Sequence, residues 1–422
     1  MPSWPRSDRL LVLHNAGAEN FTLGIGGLEL TALADLETVI AASDDVRLTD
    51  IDVSATTLAV NLRENGLAQV RVLPLTDVGI GAGNNIAFDE ELFEAVAVRL
   101  LRLAAAVRAA QLRVVGHTRT PSTTSTPRRR SCTCASGSRC SAATTPLTTS
   151  RRVNGPQQAT EHAIPVSVVR HKSVADHSEA PTLLYGYGSY EISYDSFMSI
   201  ARLSLLDRGM VFALAHIRGG GEMGRQWYEQ GKLLRKKNTF TDYIDVAHHL
   251  IDQRWTTRGR LVGLGGSAGG LLMGAVANMA PELFAGIVAQ VPFVDALTTI
   301  LDPTLPLTVI EWDEWGDPLH DPEVYAYMKS YTPYENIAAA RYPRIYALTS
   351  INDTRVFYVE PAKWVAQLRD TLPDHSQVIF KCEMSAGHGG ASGRYDAWRE
   401  TADYYAWIVD VSGARHEAVR ST

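Results

Sequence analysis

At residues 261–270 the sequence reads Leu261-Val262-Gly263-Leu264-Gly265-Gly266-Ser267-Ala268-Gly269-Gly270, a G-x-S-x-G pattern between an apolar run and a helix-like segment. This is the context of a nucleophile elbow, a sharp strand-to-helix turn that exposes a reactive serine. The turn leaves no room for side chains two residues to either side of the serine, which Gly265 and Gly269 satisfy. A chance occurrence of the pattern is the alternative. Ser267 is the candidate nucleophile.

Downstream residues supply the two partners that a nucleophilic serine needs. In this kind of fold the carboxylate and then the histidine follow the serine along the chain. Asp353 lies in a polar turn after a predicted strand at 344–350, and His388 lies in a glycine-flanked loop after a predicted strand at 377–382. A solvated or structural histidine is the alternative for His388. The order predicts a triad of Ser267, Asp353 and His388.

Strands and helices are predicted to alternate between residues 160 and 410. Alternation of this kind is typical of an α/β fold with a doubly wound, mostly parallel sheet. The predicted strands are 182–185, 210–217, 260–264, 286–293, 344–350 and 377–382, and the predicted helices lie near 197–208, 239–254, 360–370 and 395–409.

Six motifs stand out in the second part of the sequence, at Leu184–Tyr190, His216–Glu222, Lys236–Phe240, Gly265–Gly270, Glu311–Gly316 and Tyr327–Tyr331. Together they resemble the oligopeptidase B group of the prolyl oligopeptidase family of serine peptidases. The resemblance covers residues 160–412 and implies an α/β-hydrolase peptidase domain, here 161–415.

The resemblance implies a role for each candidate residue. Ser267 would be the nucleophile, His388 the general base, and Asp353 the group that holds the imidazole tautomer. The hydroxyl of Tyr187 and the backbone amide of Ala268 would stabilise the oxyanion. A buried core aromatic is the alternative for Tyr187.

Substrate choice is expected to depend on acidic residues. In the family a carboxylate pair at the positions of Glu311 and Asp313 grips the arginine or lysine before the cleaved bond, and paired carboxylates suit a planar guanidinium. A solvated acidic loop is the alternative. Asp195 matches half of a second acidic pair, but Phe197 stands where the other carboxylate is expected. Arg355 matches an arginine that binds a substrate carbonyl, with a structural salt bridge as the alternative. Short basic peptides are the expected substrates.

Composition excludes other classes of function. A hydrophobic content of 45%, a net charge of −6 and a pI of about 6.1 argue against a nucleic-acid partner. The residues after Met1 lack the apolar region of a signal peptide, and no run of eighteen apolar residues occurs. We therefore expect no membrane association, a cytoplasmic location, and neither a cofactor nor a metal.

Residues 1–94 consist of short alternating segments such as 58–62 and 69–75, which predict antiparallel strands. They resemble the closing part of the seven-bladed β-propeller that caps the hydrolase domain in the family. Blades of about 40–50 residues would make this a partial propeller of about two blades, truncated at its amino end.

Residues 95–160 contain 11 arginines, no lysine and no acidic residue, together with Cys132, Cys134 and Cys140. A metal site at the cysteines lacks a fourth ligand at suitable spacing. An aberrant, disordered basic linker is the second interpretation.

A frameshift between about 117 and 156 is the third interpretation of this segment. Residues 137–149, back-translated with GC-rich codons and read one base earlier, give Gln-Pro-Val-Leu-Gly-Gly-Tyr-Asp-Pro-Ala-Asp-Tyr, which resembles the family at this place. Two hypotheses on function follow. The chain is a serine endopeptidase that cuts after arginine or lysine, or it is a catalytically impaired remnant with an intact triad and no functional propeller.

Overall fold

The computed structural model describes residues 8–88, 93–99, 110–116, 147–154, 163–197, 199–374 and 377–415. The chain groups into two compact units. The first comprises Met1–Thr144, Asp195–Met198 and Glu222–Gln226, and the second comprises Thr145–Tyr194, Ser199–Gly221 and Trp227–Thr422.

The first unit contains antiparallel β-structure. Strands β1, β2 and β3 form one sheet, β4 to β8 form a second, and β9 pairs with β10. Alternate side chains of β5 and β6 face a small core that includes Leu58, Val60, Leu62 and Leu73. The strands are β1 Arg9–His14, β2 Thr22–Gly27, β3 Glu37–Ile40, β4 Val46–Val53, β5 Thr57–Glu64, β6 Leu67–Thr76, β7 Gly79–Ile80, β8 Asn84–Asn85, β9 Phe93–Arg99 and β10 Ala110–Gly116.

An eight-stranded sheet forms the centre of the second unit. Its order is β11-β12-β14-β13-β15-β16-β17-β18. The pairs β11–β12 and β12–β14 are antiparallel, and all pairs from β14 to β18 are parallel. The strands are β11 Leu147–Asn154, β12 Pro165–His171, β13 Thr182–Tyr185, β14 Val211–Ala215, β15 Leu261–Gly266, β16 Gly286–Gln290, β17 Arg344–Ser350 and β18 Val378–Glu383.

Helices connect the parallel strands and cover the sheet. Helix α4 is almost wholly buried, because it is apolar along most of its length and packs close to the centre of the sheet. The helices are α1 Ile200–Leu206, α2 Arg225–Glu229, α3 Lys237–Asp252, α4 Ala268–Met279, α5 Ala296–Ile300, α6 Thr308–Trp315, α7 Pro322–Lys329, α8 Val359–Thr371 and α9 Arg394–Val411. This parallel α/β arrangement confirms the predicted fold class of the hydrolase domain.

The disordered linker over 95–160 stays a prediction, although the structure describes strands in three parts of it. Strands β9, β10 and β11 lie wholly or partly in this segment. β9 pairs with β10, and β11 pairs with β12. Backbone hydrogen bonds of such pairs form whatever the side chains are, provided that the strands lack proline, as these three do. The three cysteines and most of the proposed frameshift lie outside the described residues, so those interpretations stay predictions.

No helix in the described part of the chain combines the length and the apolar character needed to cross a lipid bilayer.

Candidate active site

Ser267 lies between β15 and α4 with φ 57° and ψ −118°, a backbone conformation that non-glycine residues rarely adopt. Its amide donates to the carbonyl of Gln290 at 2.8 Å, and its carbonyl accepts the amide of Gly270 at 2.8 Å. A Cβ at Gly265 would lie 2.3 Å from the Gly269 carbonyl oxygen. A Cβ at Gly269 would lie 2.8 Å from the Gly186 carbonyl oxygen, so neither glycine position leaves room for a side chain.

Asp353 and His388 follow β17 and β18, whose carboxyl ends lie at the same edge of the sheet as that of β15. The Asp353 Oδ2 lies 2.7 Å from Nδ1 of His388. The Asp353 Oδ1 accepts the amides of Arg355 and Val356 at 2.9 and 3.0 Å. Burial raises the pKa of Asp353, but the hydrogen bonds from His388, Val356 and Arg355 outweigh it and hold this pKa below its usual value. An ionised Asp353 binds the Nδ1 proton and leaves Nε2 as the base.

Tyr187 lies in the loop after β13, and its hydroxyl lies close enough to Ser267 to influence the pKa of the tyrosine. Burial raises the pKa of its hydroxyl well above the usual value, and nearby Tyr194, Glu314 and Glu311 add to the effect. The hydroxyl therefore stays protonated and can donate. Ala268 is the first residue of α4, so its amide has no acceptor within the helix. Two donors, one hydroxyl and one amide, are thus available beside Ser267.

Helix α6 carries the predicted acidic pair, and the structure does not bring its two members together. Residues two apart on a helix do not face each other. Glu311 is half-buried, and its Oε2 accepts the Tyr190 hydroxyl at 2.7 Å and the Trp315 indole at 3.0 Å. Asp313 is exposed. The segment is a helix and not a solvated loop, so Glu311 faces inward without Asp313.

Two further predicted substrate residues lie apart from these groups. Asp195 belongs to the first unit, where it forms a bidentate ion pair with Arg63 at 2.8 and 3.0 Å. Arg355 contributes its backbone amide to Asp353, and its side chain is exposed. Substrate roles for Asp195 and Arg355 stay predictions.

The buried charged residues behind the loop of Tyr187 were not predicted to form a group from the sequence. Lys236 and Glu314 are 1% and 3% exposed, and the Arg218–Asp242 ion pair is buried as well. The only sequence signal for Lys236 and Glu314 was their presence in two of the quoted motifs. Their contact spans 78 residues, a separation that no local pattern reveals.

The described residues thus contain one hydrogen-bonded pair, Asp353 with His388, and place the Tyr187 hydroxyl near Ser267. Across the described ranges, no hydrogen bond joins Ser267 to His388. Within those same ranges, no group of three or more His, Cys, Asp or Glu side chains is arranged to hold a metal ion.

Comparison with known proteins gives the same assignment of the fold. The profile described as the prolyl oligopeptidase family matches residues 196–415. The chain is 53% identical over 254 residues to "Protease 2" of Moraxella lacunata and 51% identical over 262 residues to "Dipeptidyl aminopeptidase BI" of Pseudoxanthomonas mexicana. These matches cover 60% and 62% of this chain, but only 37% and 36% of the relatives, so the chain spans little more than a third of their length.

Solved structures of oligopeptidase B are similar over almost the whole chain. The Trypanosoma brucei enzyme matches with a TM-score of 0.86 at 35% identity, covering 98% of this chain and 59% of that one. The Leishmania major enzyme matches with a TM-score of 0.84 at 35% identity, covering 96% and 57%. Since these matches include residues of both units, they confirm an α/β-hydrolase domain preceded by part of a β-propeller.

Proposed function

The chain belongs to the prolyl oligopeptidase family, and we propose that it hydrolyses short peptides by serine catalysis, cutting after arginine or lysine. The observation that carries this proposal is the strained backbone of Ser267 at the sheet edge that also holds the Asp353–His388 hydrogen bond. Strain at a functional group persists only where the surrounding structure holds it in place.

In the proposed reaction the Oγ of Ser267 attacks the scissile carbonyl while Nε2 of His388 takes the hydroxyl proton. Asp353 remains ionised and stabilises the imidazolium through Nδ1. The Tyr187 hydroxyl and the Ala268 amide donate to the oxyanion. His388 then protonates the leaving amine. Water next attacks the acyl-enzyme while His388 takes its proton, and His388 returns that proton to the Oγ of Ser267 as the acyl–oxygen bond breaks and the carboxylic acid leaves.

The preference for a basic residue is proposed from Glu311. Its Oε2 is held by Tyr190 and Trp315, which fixes the carboxylate so that the other oxygen can accept from a guanidinium or ammonium. One of the two relatives is named a dipeptidyl aminopeptidase, so the need for a free amino terminus on the substrate is tested separately. Short arginyl substrates with blocked and free amino termini distinguish an endopeptidase from a dipeptidyl aminopeptidase.

A fluorophosphonate probe tests the nucleophile. We expect it to label Ser267 in the full chain, and Ser267→Ala to abolish labelling, because the alanine lacks the attacking oxygen. The control is Ser204→Ala on α1, an exposed serine whose loss should leave labelling unchanged. Labelling that persists in Ser267→Ala would refute the assignment.

A catalytically impaired remnant is the second candidate. The composition of residues 95–160, with 11 arginines and no acidic residue, favours it, because a frameshift there would alter the segment that leads into the hydrolase domain. A folded chain that the probe does not label would support this candidate. Labelling of Ser267 together with turnover of an arginyl substrate would exclude it.

A further inference from the structure

Lys236 is a charged side chain that the proposed catalytic steps do not use. It is 1% exposed, and removing an ammonium from water costs several kcal/mol unless its hydrogens are satisfied. Its Nζ donates to the Gly188 carbonyl at 2.7 Å and the Ser189 hydroxyl at 2.6 Å, and lies 3.5 Å from Oε1 of Glu314. An ammonium has three hydrogens, so these contacts use all of them.

Glu314 contacts the same part of the chain from the other side. Its Oε1 accepts the backbone amide of Tyr190 at 3.1 Å, and its Oε2 accepts the Tyr228 hydroxyl at 2.8 Å. We name residues 186–191 the tyrosine loop. Lys236 and Glu314 together therefore bind three consecutive residues of this loop, immediately after Tyr187.

The tyrosine loop has a backbone that needs such support. Tyr190 and Glu191 both have positive φ, 59° and 57°. Each such residue costs on the order of 1 kcal/mol or more and persists only where contacts over-determine it. A buried ion pair that receives a backbone amide and donates to a backbone carbonyl supplies these contacts.

Glu314 also links the tyrosine loop to helix α6. It lies three residues after Glu311 on α6, so the two side chains share a face. Lys236 Nζ is 4.8 Å from the ring centroid of Trp315, whose indole donates to Glu311. The oxyanion donor Tyr187 and the acidic Glu311 thus lie on two elements that are joined through Lys236 and Glu314.

We propose that the Lys236–Glu314 pair is a positioning device that holds the tyrosine loop against α6, so that the oxyanion donor and the recognition of a basic side chain are coupled. The inference rests on the proposed function and extends it to two residues that need not touch the substrate. Lys236 and Glu314 are positioning residues, since they act through Tyr187 and Glu311.

The charge of Lys236 makes this coupling sensitive to pH. Burial lowers the pKa of Lys236 to about 8, although Glu314 raises it. Besides Glu314, the titratable groups near the pair in the described residues include Tyr187, Tyr190, Glu311, Tyr331, and Tyr228, whose hydroxyl also accepts from Lys232 at 3.3 Å. Loss of the Lys236 proton leaves Glu314 buried without its cation. We expect kcat to fall as pH rises through this pKa.

The experiment compares Glu314→Gln and Lys236→Met in the full chain, with a blocked arginyl amidomethylcoumarin substrate and its citrulline counterpart. Each variant should lower kcat about 10-fold and reduce the ratio of arginine to citrulline cleavage. The double variant should be no worse than about twice the more severe single variant, because the two residues act as one unit. Glu179→Gln is the control, since it removes an exposed ion pair with Arg254.

The pH profile separates positioning from a general loss of stability. In Glu314→Gln, Lys236 loses the anion that raises its pKa, so the decline of kcat at alkaline pH should begin at a lower pH. In Lys236→Met this decline should disappear. Ser189→Ala serves as a substitute test if Glu314→Gln and Lys236→Met fold poorly. It removes one acceptor of Lys236 without changing charge and should lower kcat by a smaller factor.

Amide hydrogen exchange of residues 187–191 gives a readout that does not need turnover. Faster exchange in Glu314→Gln, with unchanged exchange in the core strands, supports the proposal even in a chain that lacks peptidase activity. If Ser267 is labelled but arginine is not preferred, the specificity part of the proposed function fails. The labelling rates and the amide exchange of the variants then still test whether Lys236 and Glu314 position the tyrosine loop. Unchanged kcat, labelling rate and loop exchange in both variants would overturn it.

Discussion

Single atoms decide whether the nucleophile elbow can form. At Gly265 an added Cβ would lie 2.3 Å from a backbone oxygen of Gly269, which cannot move aside without opening the turn. At Gly259 an added Cβ would have nothing within 4 Å. These two glycines form a matched pair in which the same substitution meets opposite surroundings.

We predict that Gly265→Ala abolishes fluorophosphonate labelling of Ser267, whereas Gly259→Ala leaves labelling unchanged. The added methyl group must displace the backbone around Ser267 and so move its hydroxyl away from Tyr187 and the amide of Ala268. Labelling rates and far-UV circular dichroism check the prediction. Normal labelling in a folded Gly265→Ala protein would contradict a sterically determined elbow.

At the scale of elements, the position of each carboxylate around the axis of helix α6 determines which of them can bind a substrate. Glu311 and Glu314 lie three residues apart and face inward, whereas Asp313 lies between them and is exposed. Only an inward carboxylate is held in place by neighbouring donors. The helix thus divides an acidic cluster into a fixed part and a solvated part.

We predict that Glu311→Gln lowers kcat/KM for arginyl substrates by on the order of 1.5–3 kcal/mol, the scale of a hydrogen bond to a charged group. Asp313→Asn should change it by less than about 1 kcal/mol, because exposed charges interact weakly. Steady-state kinetics with arginyl and phenylalanyl substrates measure both effects. Equal losses in the two variants would show that the residues act as a pair after all.

At the scale of the whole molecule, a buried carboxyl group links stability to pH. Glu360 on α8 accepts the Asp295 amide at 3.0 Å and the Thr299 hydroxyl at 2.6 Å. Burial raises the pKa of Glu360 from 4.5 to about 8. The folded state therefore holds a proton that the unfolded state releases, and stability falls as pH rises between these values.

We predict that Glu360→Gln flattens this decline. The variant stays uncharged, so its stability relative to the wild type should increase from pH 5 to pH 9, by on the order of 1–3 kcal/mol. Thermal unfolding across this range measures the difference, with Glu179→Gln as an exposed control. A constant difference between variant and wild type would mean that Glu360 does not titrate in this window.

Most of the hydrolase fold follows from local pattern. The predicted strands at 182–185 and 344–350 coincide with β13 and β17, because apolar runs bounded by turn residues are a local signal. The predicted strand at 286–293 ends earlier, at Gln290, since Val291 takes φ 38° and Pro292 follows. The glycines of the elbow were likewise predicted from the sequence, as was the order of serine, acid and histidine in the candidate triad.

Tertiary structure alone decided which charged groups meet. Helix formation at α6 placed Glu311 and Asp313 on different sides of the helix, and packing brought Lys236 and Glu314 together behind Tyr187. It also paired Asp195 with Arg63, residues 132 apart in sequence. Strand and helix signals extend over a few neighbouring residues, whereas these contacts depend on how distant elements pack. For that reason the amino-acid sequence alone determined the fold and the candidate triad, and only packing determined which groups support them.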